Sequence, residues 1–348
     1  MAFEENSFDC FLVCNERNLL YLTGAPGALC LLVPQKGDCV LFTYGVNYEQ
    51  VKAEAAGFNV ELLKKSGELT EKLTPIVKNF KIHKAALDSI GHEFYRTISK
   101  SFRGLARLTL RNDMLWKLRQ VKDEHEIKLM KKAGSITSAG MKAAYETIRP
   151  GRTEIEVAAE IEYAMRKENG WGSAFETIVA SGVRSAYPHG GCADRKIRED
   201  DLVVVDIGSA YQHYASDMTR TIIAGAPNEK QKRIHEIVKN AHENAFRAVK
   251  AGAKGKDIDN AARRTIEDSG FGQYFVHGLG HGVGLDIHEP PSFSTSSKDL
   301  LAVGNVMTIE PGIYVPNFGG VRLEDTILVR KDEAEKLTEG TYELQAET

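Results

Sequence analysis

The feature that most constrains this chain is a repeat. Residues 126–170 and 230–270 carry the same succession of signals. Each copy opens with a long helical pattern, "EIKLMKKAGSITSAGMKAAYETI" in one and "KQKRIHEIVKNAHENAFRAVK" in the other. Each breaks at a glycine, Gly151 or Gly252, and resumes with a second helix, "EIEVAAEIEYAMRKEN" or "DIDNAARRTIEDS". Each stops at Gly170 or Gly270, so the glycine-to-glycine spacings are 19 and 18 residues. Both copies then turn to β-type sequence, which points to a duplicated α+β domain.

The β parts sharpen this reading. "DLVVVDIGSAYQHYASDMTRTII" reads as a hairpin centred near Tyr211 and Gln212, with Asp206 and Asp217 equidistant from the centre. "VMTIEPGIYVPNFGGVRLEDTILV" reads as a second hairpin centred near Asn317, with Glu310 and Glu324 equidistant from it. Residues opposite each other in a hairpin project to one face, so each half offers two carboxylates, all in strongly apolar surroundings. Carboxylates carried into a core need partners. Arg220 and Arg322 are close in sequence, but two cations do not neutralise four anions, whereas two divalent metal ions do.

A nitrogen donor is available in "HGLGHGVGLDIHE", residues 277–289. His277 and His281 have the spacing of a zinc-protease HExxH helix. The residues between them are Gly278, Leu279 and Gly280, with no Glu to act as base. Each glycine costs a helix about 1 kcal/mol relative to Ala, so strand or loop is expected. The proposed ligand set is His281 with Asp206, Asp217, Glu310 and Glu324. Oxygen-rich donors favour Mn, Fe or Co over structural zinc. For any one of these acids taken alone, a strand-end or salt-bridged carboxylate is the simpler reading.

Composition closes off other classes. Net charge is −3 over 348 residues, with 42% hydrophobic and 27% charged residues, so there is no electrostatic case for nucleic acid or a membrane surface. No apolar run approaches the ~20 residues that span a bilayer. "MAFEENSFDC" lacks a signal-peptide pattern, and the five cysteines, Cys10, Cys14, Cys30, Cys39 and Cys192, are odd in number and contain no CxxC. A cytoplasmic protein with reduced thiols is the expectation. The first third, "FDCFLVC", "ALCLLVP" and "CVLFTYG" among it, mixes strands with helices such as "NYEQVKAEAAG", whose C-cap is expected at Gly57. Two domains are therefore expected, 1–113 and 114–348, joined by a polar helical connection.

Taken together, "VVVDIGSAYQHYASDMTRT", "HGLGHGVGLDIHE", "TIEPGIY", "GVRLED" and "FETIVASGVRSAYPHG" resemble the M24 metallopeptidases, the pita-bread enzymes, over roughly residues 115–330. The length and the preceding domain resemble the Xaa-Pro dipeptidases (prolidases) and Xaa-Pro aminopeptidases within that family. The resemblance implies that Asp206 chelates one metal, His281 and Glu310 the other, and that Asp217 and Glu324 bridge both. It implies Glu310 as general base and acid, His189 and His288 as substrate-holding groups that stabilise the tetrahedral intermediate, and a homodimer. The implied ions are Mn2+ or Co2+, with Fe2+ or Zn2+ as alternatives; the implied substrate is a small peptide with proline after the scissile bond.

Phe175 and Tyr314 lie near the motifs and are candidates for a proline pocket, although such aromatics are more often plain core. His277 is a candidate for approaching the site, with a packing role as the alternative. His213 is expected at the surface or in a dimer contact. Arg322 shares a strand face with Glu324 and is expected to support a metal carboxylate. One departure stands out. Many prolidase-like sequences carry Arg after an "HExP" pattern, where this chain has Ser292. An Arg there suits bidentate bonding to a dipeptide carboxylate, so an aminopeptidase acting on longer peptides is the runner-up. Three further rivals are a creatinase-like metal-independent hydrolase, a non-catalytic binding relative and a metal-dependent hydrolase of a non-peptide amide.

Overall fold

The protein is described here from a computed structural model, whose described residues are 8–345. The chain divides into two compact units, one ending at Arg119 and the other beginning at Gln120.

The first unit runs β1 (Cys10–Val13), α1 (Glu16–Thr23), β2 (Cys30–Pro34), β3 (Val40–Tyr44), α2 (Tyr48–Glu54), β4 (Asn59–Leu63), α3 (Glu68–Asn79), β5 (Lys84–Leu87), α4 (His92–Phe102), β6 (Arg107–Leu110) and α5 (Asp113–Arg119). The strands form one six-stranded sheet in the order β4-β3-β2-β1-β5-β6. β1 runs antiparallel to β2 and parallel to β5. Side-chain alternation along β1 divides the core. Cys10 and Leu12 pack with Leu69, Leu73, Ile98 and Phe102 on one face, while Phe11 and Val13 pack with Leu19, Val51 and Leu115 on the other. Leu115 brings α5 into this unit, which places the division at 119/120 against the expected 113/114. The expected cap at Gly57 is corrected: α2 ends at Glu54 with Ala55 as its cap, and Gly57 takes the left-handed turn beyond it, at φ 88°.

The second unit runs α6 (Glu124–Thr147), α7 (Glu154–Lys167), β7 (Gly172–Ser173), β8 (Ile178–Ser181), β9 (Leu202–Ile207), β10 (Ser209–Tyr211), β11 (Tyr214–Ala215) and β12 (Met218–Ile223). It continues with α8 (Glu229–Ala248), α9 (Gly255–Asp268), β13 (Gly280–Gly282), β14 (Glu289–Phe293), β15 (Val306–Ile309), β16 (Gly312–Val315), β17 (Gly319–Arg322), β18 (Asp325–Val329) and β19 (Ala334–Lys336). The connection into it is broken: Asp123 caps α6 with a reciprocal capping box to Glu126, so a new helix starts there instead of continuing from α5.

The repeat is visible in the packing. In the first half, Ile136, Met141 and Ala144 of α6 and Val157 and Ile161 of α7 cover Val203, Val205 and Ile207 of β9 and Met218 and Ile222 of β12. In the second, Ile234, Val238 and Ala241 of α8 and Ile258, Ala262 and Ile266 of α9 cover Met307 and Ile309 of β15 and Ile327 and Val329 of β18. Gly151 and Gly252, at φ 93° and 81°, turn the chain between the paired helices, a conformation side chains with a Cβ disfavour. Strand alternation then turns Asp206, Asp217, Thr219, Thr308, Glu310 and Glu324 away from the helix layers.

Candidate active site

The two hairpins deliver their acids by different registers. β9 and β12 pair with Asp206 opposite Thr219, and β10 and β11 pair Tyr211 with Tyr214. The turn is therefore centred between Gln212 and His213, both at positive φ, one residue beyond the expected centre. This corrects the expected Asp206–Asp217 pairing, yet Asp217 is two residues from Thr219 and keeps the shared face. In the second half the register is the expected one. Ile309 pairs with Asp325 and Gly312 with Arg322, which sets Glu310 opposite Glu324 about the turn at Asn317, φ 61°.

His281 arrives on β13, squeezed between β14 and β15. The glycines on either side permit the squeeze. A Cβ on Gly280 would lie 2.2 Å from the Thr308 carbonyl oxygen, and one on Gly282 would lie 2.6 Å from that of Pro290. The glycine-rich stretch thus exists to admit backbone on both sides of a histidine.

These groups line one cavity of about 640 Å³ together with Phe175, Glu176, Ile178, His189, Val276, His277, Ile287, His288 and Arg322. One donor atom from each of Asp217, His281 and Glu324 lies within 4.8 Å of the others. The His281 ring has its Nδ1 3.1 Å from the Gly282 carbonyl oxygen. That oxygen only accepts, so Nδ1 carries the proton. Burial, with His288 beside it, pushes the pKa of His281 down to about 4, so the ring is neutral and Nε2 presents a bare lone pair. This lone pair faces Glu310 Oε1 at 3.4 Å and Asp217 Oδ2 at 3.9 Å. Three potential metal donors therefore converge on one point.

The carboxylates carry the same sign of incompleteness. Asp206 Oδ1 and Asp217 Oδ1 are buried without a hydrogen-bond partner. Burial raises the pKa of Asp217 and of Glu324 well above the carboxylate range, and repulsion from neighbouring acids adds to it. Burial pushes Glu310 up to about 8. Four acids, Asp217 and Glu324 buried and Asp206 and Glu310 half-buried, and one neutral imidazole are a donor set for cations, and the orphaned oxygens fit divalent metal ions.

Around them lies a supporting layer, part of which the sequence reading missed. Thr219 Oγ1 donates to Glu324 Oε2 at 2.6 Å and accepts from Arg322 Nε at 3.1 Å. Thr308 Oγ1 donates to Glu310 Oε1 at 3.3 Å and accepts from the His281 amide at 3.1 Å. A threonine two residues from a buried acid on the same strand was the available signal. Arg322, expected as a support, donates to Asp206 Oδ2 at 2.5 Å and, through Nη1, to the Tyr314 hydroxyl at 2.8 Å. Tyr314 therefore stands behind the cavity wall. Its hydroxyl is 2.9 Å from His277 Nε2, and His277 Nδ1 is 2.7 Å from the Gly278 carbonyl oxygen. The carbonyl again places the ring proton on Nδ1, so Tyr314 donates to Nε2 and accepts from Arg322. Burial brings His277 to about 4, consistent with the neutral ring. His213 stacks edge-on against Trp171 with centroids 5.0 Å apart, outside the cavity lining. Ser292 turns its hydroxyl to Asp299 Oδ2 at 3.2 Å.

Residues 128–331 match the profile of metallopeptidase family M24, and residues 1–121 match the Creatinase/Prolidase N-terminal domain. The chain belongs to metallopeptidase family M24. Curated relatives of this M24 protein include the Xaa-Pro dipeptidases of Pyrococcus horikoshii and Pyrococcus furiosus. They are 41% and 40% identical over 98% of this chain, and the match covers 95% and 96% of theirs. The prolidase structure from P. horikoshii superposes with a TM-score of 0.93 at 40% identity, over 99% of this chain and 97% of that one. The X-Pro aminopeptidase structure from Thermotoga maritima superposes with a TM-score of 0.89 at 35% identity, over 99% of both chains. The family and the cavity make this chain a metal-dependent peptidase with a pita-bread catalytic domain. Among the described residues, no helix is long and apolar enough to cross a membrane.

Proposed function

We propose that this protein hydrolyses the Xaa-Pro bond of dipeptides, using two divalent metal ions. The observation that carries the reading is the bare Nε2 of His281 facing Glu310 and Asp217 inside a cavity that Asp206 and Glu324 also line. The dipeptidase relatives, aligned over nearly the whole chain, support the substrate.

Asp206 and Asp217 would hold one ion, and His281, Glu310 and Glu324 the other, with Asp217 and Glu324 shared between them. The oxygen-rich set favours Mn2+ or Co2+. Bound there, the ions supply a nucleophilic water at neutral pH and polarise the scissile carbonyl. The chain supplies the rest. Glu310 brings to the leaving nitrogen the proton that the tertiary Xaa-Pro amide lacks. His189 and His288 line the cavity and hold the substrate carbonyl and the developing oxyanion. Phe175, Ile178 and Val276 give the apolar wall that a pyrrolidine ring needs. Arg322 is the one guanidinium lining the cavity among the described residues, and Asp206, Thr219 and Tyr314 already engage it. It orients ligands and leaves the substrate carboxylate to other groups. We infer a cytoplasmic homodimer from the family resemblance.

The test is a hydrolysis panel read by mass spectrometry, with chelated protein and after addition of Mn2+ or Co2+. Metal-dependent cleavage of Met-Pro and Ala-Pro, with Ala-Ala and Ala-Pro-Ala spared, is expected. Preferred cleavage of Ala-Pro-Ala makes the protein an aminopeptidase. Inertness toward every peptide with metals bound refutes the peptidase reading of this site.

A further inference from the structure

The first unit holds two thiols that no hydrolytic chemistry uses. Cys14 follows β1 and Cys30 opens β2, and their sulfurs lie 3.3 Å apart. The register explains the approach. Val13 pairs with Leu31, so Cys14 continues the ladder directly opposite Cys30. The Cys14 amide points the other way, donating to Asp88 Oδ1 at 2.8 Å. In an antiparallel strand the amide and carbonyl of one residue face the same side, so Cys14 and Cys30 form a pair without mutual hydrogen bonds. That is the kind of pair whose side chains come closest, with Cα atoms about 4.5 Å apart, inside the span a disulfide accepts.

Access is one-sided. Cys30 is fully buried, whereas Cys14 is half-buried and lines a surface groove with Asn15, Glu16, Ser89, Ile90 and Phe94. Cys10 lies four residues back along the same strand, opposite Pro34, so it is not the nearest partner of either thiol. Both thiols are free in the structure.

We propose that Cys14 and Cys30 are a site of reversible disulfide formation, entered through this groove by a small-molecule disulfide such as oxidised glutathione. The Cys14 thiol loses its proton and attacks one sulfur of the reagent. This forms a mixed disulfide and releases one glutathione thiolate, which takes up that proton. Cys30 then loses its proton and attacks Cys14 Sγ, forming the intramolecular bond and releasing the second glutathione. Protein dithiol and one glutathione disulfide give protein disulfide and two glutathione thiols, with no further oxidant. Burial holds the Cys14 thiol well above its usual pKa, so the first attack is slow. The bond would close a loop of 15 intervening residues that contains α1 and stabilise the first unit against unfolding.

The test is to expose the full-length protein to oxidised glutathione, alkylate the remaining thiols, digest without reductant and map the peptides. A Cys14–Cys30 cross-link that dithiothreitol dissolves is expected, with a rise of several degrees in the first thermal transition. In Cys30→Ser, Cys14 should accumulate as the glutathione adduct. In Cys14→Ser, Cys30 should remain a thiol. Recovery of both residues as thiols after prolonged exposure overturns the proposal. So does a cross-link that joins Cys14 to Cys10, Cys39, Cys192 or a second copy instead. A cross-linked protein with an unmoved thermal transition overturns the stabilising role.

Discussion

Tyr314→Phe removes one oxygen and tests the directed chain Arg322 → Tyr314 → His277. The ring stays, so packing is conserved. Two polar groups lose their partner: the buried Arg322 Nη1, with the Pro188 carbonyl left at 3.4 Å, and Nε2 of the half-buried His277. Arg322 is 3% exposed, so water does not readily replace the hydroxyl. Orphaning a buried donor costs about 1–3 kcal/mol, more when it is charged, and about 2–3 kcal/mol is expected here. For a unit of this size that lowers the melting temperature by roughly 4–12 °C.

The same loss reaches the metal site. Arg322 Nη2 fixes Asp206 Oδ2, and loosening such a support typically costs 10–100-fold in metal affinity. The assay is paired: differential scanning calorimetry of the metal-free protein, and Mn2+ titration of the chelated protein by calorimetry. Unchanged melting would refute the assignment of the hydroxyl as the shared partner. Lower melting with unchanged Mn2+ affinity would show that the chain ends at Arg322 and does not govern Asp206.

Other substitutions separate the roles within the site. Asp217→Asn or Glu324→Gln should lose metal occupancy and activity together, measured by elemental analysis and Met-Pro turnover; near-normal activity with both ions bound would refute the shared-ligand assignment. His189→Ala should keep its metals and lose at least 100-fold in turnover, whereas lost metal would make His189 a ligand. His235 is 6% exposed, and burial brings it to about 4 from an ordinary 6.5. Below the unfolded value the unfolded chain binds the extra proton, so this contribution to stability is full above pH 6.5 and falls away toward pH 4. The loss is on the order of 2–3 kcal/mol, and His235→Leu should flatten the melting profile over that window; an unaltered profile would mean that the buried ring does not govern acid sensitivity.

How much of this was legible beforehand depended on where information is local. The helix–glycine–helix units could be read because capping and periodicity are written within each element: Thr153 with Glu156 and Asn228 with Gln231 form reciprocal caps where the helices begin. The second hairpin could be registered because Pro and Gly confine its turn to Asn317. The first could not, because Gln212 and His213 are unusual residues for two successive positive φ values, and nothing in their chemistry marks the turn. The role of Tyr314 was out of reach for another reason. Whether an aromatic eight residues from an arginine faces a cavity or backs onto the guanidinium is decided by tertiary packing.

The duplication reaches further than the metal ligands, and it explains how glycine-rich loops hold histidines still. The second helix of each half carries a fully buried carboxylate that no metal would need. In the first half, Glu154 of α7 accepts from the Ser181 amide at 2.8 Å and the Ala193 amide at 2.9 Å, with Arg184 beside it; those contacts bracket His189. In the second, Asp259 of α9 accepts from the Leu279 amide at 3.1 Å. Its partner Arg263 donates to the carbonyl oxygens of Phe275 and His277, and the Leu279 carbonyl in turn receives the Glu310 amide at 2.8 Å. An acid–arginine pair thus clamps the loop backbone in both halves, leaving the imidazoles free for other work. Because the clamps act on backbone, they hold the loops alongside the packing of the few apolar side chains these carry, such as Leu279 and Val283 in the second half. The stretch 277–289 can therefore combine three histidines with four glycines: its rigidity comes from α9, from the flanking strands and from the buried Leu279, Val283 and Leu285.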